Sequence, residues 1–173
     1  MKYILSIIFV IITYVLISNV VVSNNLIPDD AIRVRVIANS NDEYDQQIKY
    51  EVRNIVEDDM YNILNGVDKL DIARNKIGSN LDLVKSDIDN YLKKIDYNLG
   101  FDINFGYNYF PMKEYKGITY KEGYYESVVV TLGSGNGDNW WCVLFPPLCL
   151  IEGEESTDVE YTSFVKEIIS KFD

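Results

Sequence analysis

The run Asn139-Trp140-Trp141-Cys142-Val143-Leu144-Phe145-Pro146-Pro147-Leu148-Cys149 constrains this chain more than any other stretch. It holds both tryptophans, both cysteines and two of the four prolines. Aromatic and β-branched side chains suit a pleated surface, so Trp140 to Phe145 predicts a buried strand. Pro146 has no amide hydrogen to give to a ladder and ends it. Just upstream, Gly133-Ser134-Gly135-Asn136-Gly137-Asp138 supplies residues that accept positive φ, so the chain can reverse there. The expectation is a glycine-rich turn feeding a central strand with a rigid proline exit. Adjacent strand residues face opposite ways, which separates Trp140 from Trp141. Either one is core and the other an exposed anchor for a partner, or covering elements bury both.

Period-two alternation recurs elsewhere. Ile32, Val34 and Val36 alternate with Arg33 and Arg35, and Phe101, Ile103, Phe105, Tyr107 and Tyr109 alternate with polar residues or glycine. Both segments predict half-buried strands. Ile118 to Tyr120 and Tyr124 to Leu132 add a short and a longer strand. Between the first two strands the period lengthens. Ile48, Val52, Ile55, Val56 and Ile63 form one helical stripe, opened by a capping box at Ser40-Asn41-Asp42-Glu43 and stopped by Asn65-Gly66. Leu70, Ala73, Ile77, Leu81, Val84, Ile88, Leu92 and Ile95 form a second stripe. Gly78-Ser79-Asn80 interrupts it, so two helices or one kinked helix both fit. Strand, helices, then a run of strands predicts an α+β domain, with helices on one face of a mostly antiparallel sheet.

Residues Ile4 to Val22 are almost unbroken apolar sequence after one lysine. At about 1.5 Å per residue this run reaches about 28 Å, close to a bilayer's hydrocarbon core of about 30 Å. Residues 1–23 therefore predict a signal peptide or signal anchor, with the domain outside the membrane. No Ala-x-Ala site precedes a cut, and Val21-Val22-Ser23 is the best small-residue substitute. The domain proper is expected over 24–151. An acidic linker and a short amphipathic helix carrying Tyr161, Val165, Ile168 and Phe172 are expected over 152–173.

The formal charge is 16 − 27 = −11, a surface that repels phosphate backbones and argues against nucleic acid as partner. The chain has no histidine. That removes Ser-His and Cys-His nucleophiles and every His-containing zinc site. No cofactor, no metal and no self-contained catalysis are expected. Gly133-x-Gly135-x-Gly137 is a poor phosphate loop, because it leads into Trp140 and not into a helix N-terminus. Outside a reducing cytosol, Cys142 and Cys149 could form a disulfide, worth roughly 2–3 kcal/mol for a loop this short, or remain buried thiols. Arg33 and Arg35, with Asn39, Ser40 and Asp42, are expected as a polar cluster at the first strand-to-helix junction. They serve either local carboxylates or a partner.

Several of these pieces together carry a resemblance. Gly133-x-Gly135-x-Gly137-x-Asn139 running into WWCVLFPPLC, with Ala31-Ile-Arg-Val-Arg-Val-Ile-Ala-Asn39-Ser40, Phe110-Pro111-x-Lys113-x-Tyr115 and Gly123-x-Tyr125-Glu126, resembles the stage II sporulation protein R family. Ser134 and Asn136 depart from it, standing where the family pattern has an acid and a base. The resemblance implies a sporulation signal exported from the forespore into the intermembrane space. There it would activate a membrane-embedded aspartic protease that processes pro-sigma factor E. The residues expected to meet that partner are Trp140, Trp141, Phe145, Pro146, Pro147, Arg33, Arg35, Asn39, Ser40, Asp42, Lys113 and Tyr115. Fourteen tyrosines and an acidic surface leave an alternative of another class, an exported glycan-binding or glycan-cleaving module of the cell wall.

Overall fold

The computed structural model describes Pro28, residues 30 to 115 and residues 118 to 147. The apolar leader, the acidic linker, the helix expected near the end of the sequence, Cys149 and the side chain of Tyr115 lie outside the described residues. The elements in order are β1 (Ile32–Ile37), α1 (Glu43–Leu64), α2 (Leu70–Lys94), β2 (Phe101–Phe110), β3 (Lys113–Tyr115), β4 (Ile118–Tyr120), β5 (Gly123–Leu132) and β6 (Asn139–Phe145). The fold is α+β, with two helices against a four-stranded mixed sheet of order β2-β5-β1-β6, and β3 and β4 as a separate antiparallel pair.

The two apolar stripes and the strand alternations meet in one core. Ile32, Val34 and Val36 of β1, Val128 and Val130 of β5 and Leu144 of β6 pack with Ile48, Val52, Val56 and Met60 of α1 and Ala73, Ile77, Val84 and Ile88 of α2. Burying each large aliphatic side chain contributes about 1.5–3 kcal/mol. At the open side of α2, Arg74 donates from Nε and Nη2 to the two carboxylate oxygens of Glu126 at 2.6 and 2.9 Å. That pair ties the helix to β5.

Three local expectations are corrected. The Trp-Trp strand is not central: β6 is the last strand in the order, and β1 and β5 hold the middle. β1 runs parallel to β5 and antiparallel to β6. The reason is topological: the helical pair returns the chain to the end of the sheet where β1 finishes, so β2 runs against β1, and β5, running against β2, lies parallel to β1. The capping box does not form. Asp42 is the N-cap with no side-chain cap bond, while Ser40 Oγ accepts from the Asp42 N–H and donates to Asp45 Oδ2 at 2.6 Å. The second stripe is a single helix across Gly78-Ser79-Asn80. Ser79 Oγ and Asn80 Nδ2 donate back to the Lys76 carbonyl at 3.2 and 2.8 Å, and the Phe105 ring lies over Gly78.

β2 also outruns its cover. Ile103 is buried and Phe101 and Phe105 pack against the core, whereas Tyr107 and Tyr109 on the same side of the strand are exposed. Tyr109 meets Tyr124 edge-on at 5.6 Å and donates from its hydroxyl to Glu122.

Candidate functional site

The glycine-rich turn before β6 and the loop after β1 are built into each other. Gly133 and Gly135 have φ of +52° and +65°, a region that disfavours side chains. The turn's amides feed the loop's carbonyls: Asn136 N–H to Asn39 O at 3.1 Å and Gly137 N–H to Ala38 O at 2.9 Å. The loop answers with side chains. Asn39 Oδ1 accepts the Ser134 N–H at 2.9 Å, and Asn41 Oδ1 accepts the Asp138 N–H at 2.6 Å. Asn39 also donates from Nδ2 to Asp45 Oδ2 at 2.7 Å, which fastens the assembly to the first turn of α1. The result is a rigid junction of β1, α1 and β6.

The register puts Arg33, Arg35 and Trp141 on the sheet face opposite the helices. There they join an aromatic group from the β2–β5 hairpin. The Arg33 guanidinium lies 3.4 Å from the Tyr125 ring centroid. The Arg35 guanidinium lies 5.6 Å from that of Phe110, and its Nη1 donates to the Tyr109 carbonyl at 3.2 Å. Trp141 stands edge-on to Tyr120 at 4.5 Å and to Phe110 at 6.2 Å, with Lys113 Nζ 5.7 Å from its ring. Cations over aromatic faces contribute about 0.5–1 kcal/mol when exposed and about 2 when desolvated.

A cleft of about 530 Å³ opens where this cluster meets the junction. Its walls are Arg35 from β1, Gln46, Lys49 and Tyr50 from α1, the turn from Phe110 to Lys113, and Asp138, Asn139 and Trp141 at the start of β6. Lys49 is 3 % exposed and donates to Gln46 Oε1 and to the Asp138 carbonyl. Burial pushes its ammonium below the ordinary lysine value; Asp138 opposes this, and Lys113 and Arg53 add to it. Burial likewise lowers Arg35. The arrangement offers positive charge and aromatic surface side by side. Among the described residues, no group of three or more His, Cys, Asp or Glu is placed to hold a metal ion.

Residues 28–155 match the family model described as Stage II sporulation protein R (spore_II_R). The chain belongs to the stage II sporulation protein R family. A Bacillus subtilis (strain 168) relative named Stage II sporulation protein R is 39% identical over 127 residues, 73% of this chain and 57% of the relative. The chain thus spans little more than half of that relative's length. No solved structure matches. Family membership supports a role in sporulation.

The separate motifs that resemble stage II sporulation protein R are neighbours in space. The Asn39-Ser40 segment and the Gly133-x-Gly135-x-Gly137-x-Asn139 turn are the two halves of the junction, and Phe110, Lys113, Arg35 and Trp141 line the cleft beside it. The expected polar cluster splits. Arg33 and Arg35 lie on the sheet face, Asn39 and Ser40 are consumed by the junction, and Asp42 caps α1 through its backbone position. Arg35 makes no ion pair with a described carboxylate. The tryptophans do part: Trp140 packs against the core under the Arg53 guanidinium at 5.7 Å, and Trp141 faces the cleft. Phe145 and Pro146 are buried and Pro147 is half-buried, so the cleft is not theirs. Cys142 is disulfide-bonded. Lys49, Gln46 and Tyr50 were absent from the expected set. Their signal was a polar residue on a core-facing stripe, because Asp45 and Lys49 share the buried side of α1 with Ile48 and Val52.

Proposed function

We propose that this protein is an exported sporulation signal that acts by binding. Its target is a membrane-embedded aspartic protease, which it activates to process pro-sigma factor E. The observation that carries this reading is the family match over residues 28–155, on a chain without histidine. The apolar run from Ile4 to Val22 supports delivery across a membrane. Among the described residues no helix is long and apolar enough to cross one.

The test is co-expression of the full chain with the protease and the pro-sigma factor, scored by processing. Processing is expected only when the chain is present and only when residues 1 to 23 deliver it. Undiminished processing from a version lacking residues 1 to 23 and confined to the forespore cytosol would refute the reading. A glycan module remains the second reading, favoured by exposed Tyr107, Tyr109 and Tyr124. Retention on purified peptidoglycan that requires those tyrosines would replace the first reading with the second.

A further inference from the structure

We propose that the cleft at the start of β6 binds an acidic segment of a partner polypeptide, seating a carboxylate among Arg35, Lys49 and Lys113. This rests on the reading that the protein acts as a ligand for another protein, and it names the chemistry of the contact.

Acids outnumber bases by 27 to 16 in this chain. Exposed lysines such as Lys69, Lys76, Lys85, Lys94 and Lys121 stand in solvent without a described carboxylate, but a base withdrawn from solvent in so acidic a chain is expected to have one. Arg53, Arg74 and Lys93 each have one, in Glu57, in Asp71 with Glu126, and in Asp89. Arg35, Lys49 and Lys113 form no ion pair with a described carboxylate, although they come from three different elements and line one cleft. Asp138 also lines it, so one acid stands against three bases.

Arg35 also carries an unused donor. Arg35 spends Nη1 on the Tyr109 carbonyl, while its Nε is buried with no hydrogen-bond partner. Buried donors are almost always satisfied, and an unsatisfied one on a side chain that lines an open cleft suits an acceptor supplied from outside. A planar guanidinium suits a carboxylate's paired oxygens.

The walls then select the class of anion. Trp141, Tyr50 and Phe110 give apolar surface next to the charge, which fits a peptide in which an acidic residue neighbours apolar ones. Asp138 raises the cost of a doubly charged group such as phosphate more than that of a single carboxylate. The junction holds Asp138 through Asn41 and Ala38, and β1 pairs Asn139 with Ile37, so the cleft is formed before any ligand arrives.

The test uses the full chain in a neutral detergent, titrated with a blocked hexapeptide alternating leucine and glutamate. Its glutamine counterpart and inorganic phosphate are titrated in parallel. The glutamate peptide is expected to bind about tenfold or more tightly than the glutamine peptide, and to weaken as salt rises from about 50 to about 500 mM. Lys113→Gln, which removes a charge near the Trp141 ring and keeps a polar side chain of similar reach, should weaken binding about tenfold. Lys85→Gln, on the exposed side of α2, should not. Arg35→Lys, with folding checked by circular dichroism, should weaken it as well.

Equal binding of both peptides, or indifference to both Lys113→Gln and Arg35→Lys, would overturn the inference. Phosphate competing as well as the glutamate peptide would do the same, in favour of a general anion site. If replacing Glu152, Glu154 and Glu155 by glutamine raised peptide affinity about tenfold, the occupant would be this chain's own acidic run, and a partner segment would be excluded. Peptide binding that persists after a failed processing assay supports this inference and removes only the proposed protease.

Discussion

Replacing Gly137 by alanine should detach the glycine-rich turn from the rest of the fold. A Cβ at that position would lie 2.2 Å from the Ser40 carbonyl oxygen, 2.6 Å from its carbon and 2.9 Å from the Ala38 Cβ. Two of those atoms are backbone in a loop held at both ends, so no side-chain rotation relieves the clash. The turn must withdraw by more than about 1 Å, well beyond a tolerable overlap. Withdrawal breaks the bonds from Asn136 N–H to Asn39 O and from Gly137 N–H to Ala38 O, at about 0.5–1.5 kcal/mol each. Overpacking strain contributes about 1–3 kcal/mol. The total is about 2–6 kcal/mol, a drop in Tm on the order of 10 °C for a domain of this size. A thermal melt of the full chain, followed by tryptophan fluorescence, reads it. Two controls separate the causes. Gly106 has open space and no positive φ, so Gly106→Ala should stay within about 0.5 kcal/mol of the parent. Gly66 has open space but a φ of +70°, so Gly66→Ala should cost about 1 kcal/mol from backbone strain alone. Were Gly137→Ala no more costly than Gly66→Ala, the junction would not be the rigid element described.

The remaining expectations follow from packing and charge. Trp140→Ala should cost about 3 kcal/mol because its ring packs on the core, while Trp141→Ala should cost clearly less and instead weaken acidic-peptide binding; equal losses of stability in denaturation would contradict the separation of faces. Arg74→Ala leaves the largely buried Glu126 carboxylate without its bidentate partner and should cost about 2 kcal/mol, discounted because Arg74 is partly exposed. Adding Glu126→Gln should recover part of that loss, and strict additivity in the double-mutant cycle would deny the coupling. Burial, reinforced by Asp87 and Asp58, pushes Asp59 from 3.8 up to about 6. The folded state then holds this proton more tightly than the unfolded chain, so the associated stability is complete below about pH 4 and lost as pH rises through about 6. Asp59→Asn should therefore stabilise at pH 7 by about 1 kcal/mol after allowance for solvent screening. It should not stabilise near pH 3.5, and denaturation at the two pH values checks the sign.

Elements were legible where one period dominates. Ile32, Val34 and Val36 alternate and are fully buried; Ala73, Ile77, Val84, Ile88 and Leu92 recur at helical spacing and line the buried side of α2. The stop at Asn65-Gly66 was equally plain, since Gly66 adopts a left-handed φ. Pairing was not legible, because periodicity fixes which face a strand buries and says nothing about its neighbour. Hence β6, whose Val143, Leu144 and Phe145 are all buried, read as central although it is last in order. The Ser40 box failed for a different reason: a carboxylate two residues beyond the expected partner competes for the serine. Ser40 Oγ is claimed by Asp45 while Asn39 braces a turn 95 residues away. The cleft was half legible. Arg35, Lys113 and Trp141 stood out as residues, but their convergence with Lys49 depends on the hairpin's fold, which the sequence pattern does not encode.

The place of β1 has a kinetic consequence. Its parallel partner β5 begins about ninety residues downstream of it, and its antiparallel partner β6 later still. The helical hairpin and the β2–β5 hairpin close over short distances and can form early, whereas β1 can enter the sheet only once β5 exists and gains its second ladder only when β6 follows. Until β6 has emerged, a chain moving in from its N-terminal side therefore lacks the contacts that complete the core. Its first strand stays extended and unpaired through most of synthesis or passage. Were the chain delivered across a membrane as an open thread, as proposed above, this topology would postpone locking until delivery was nearly finished.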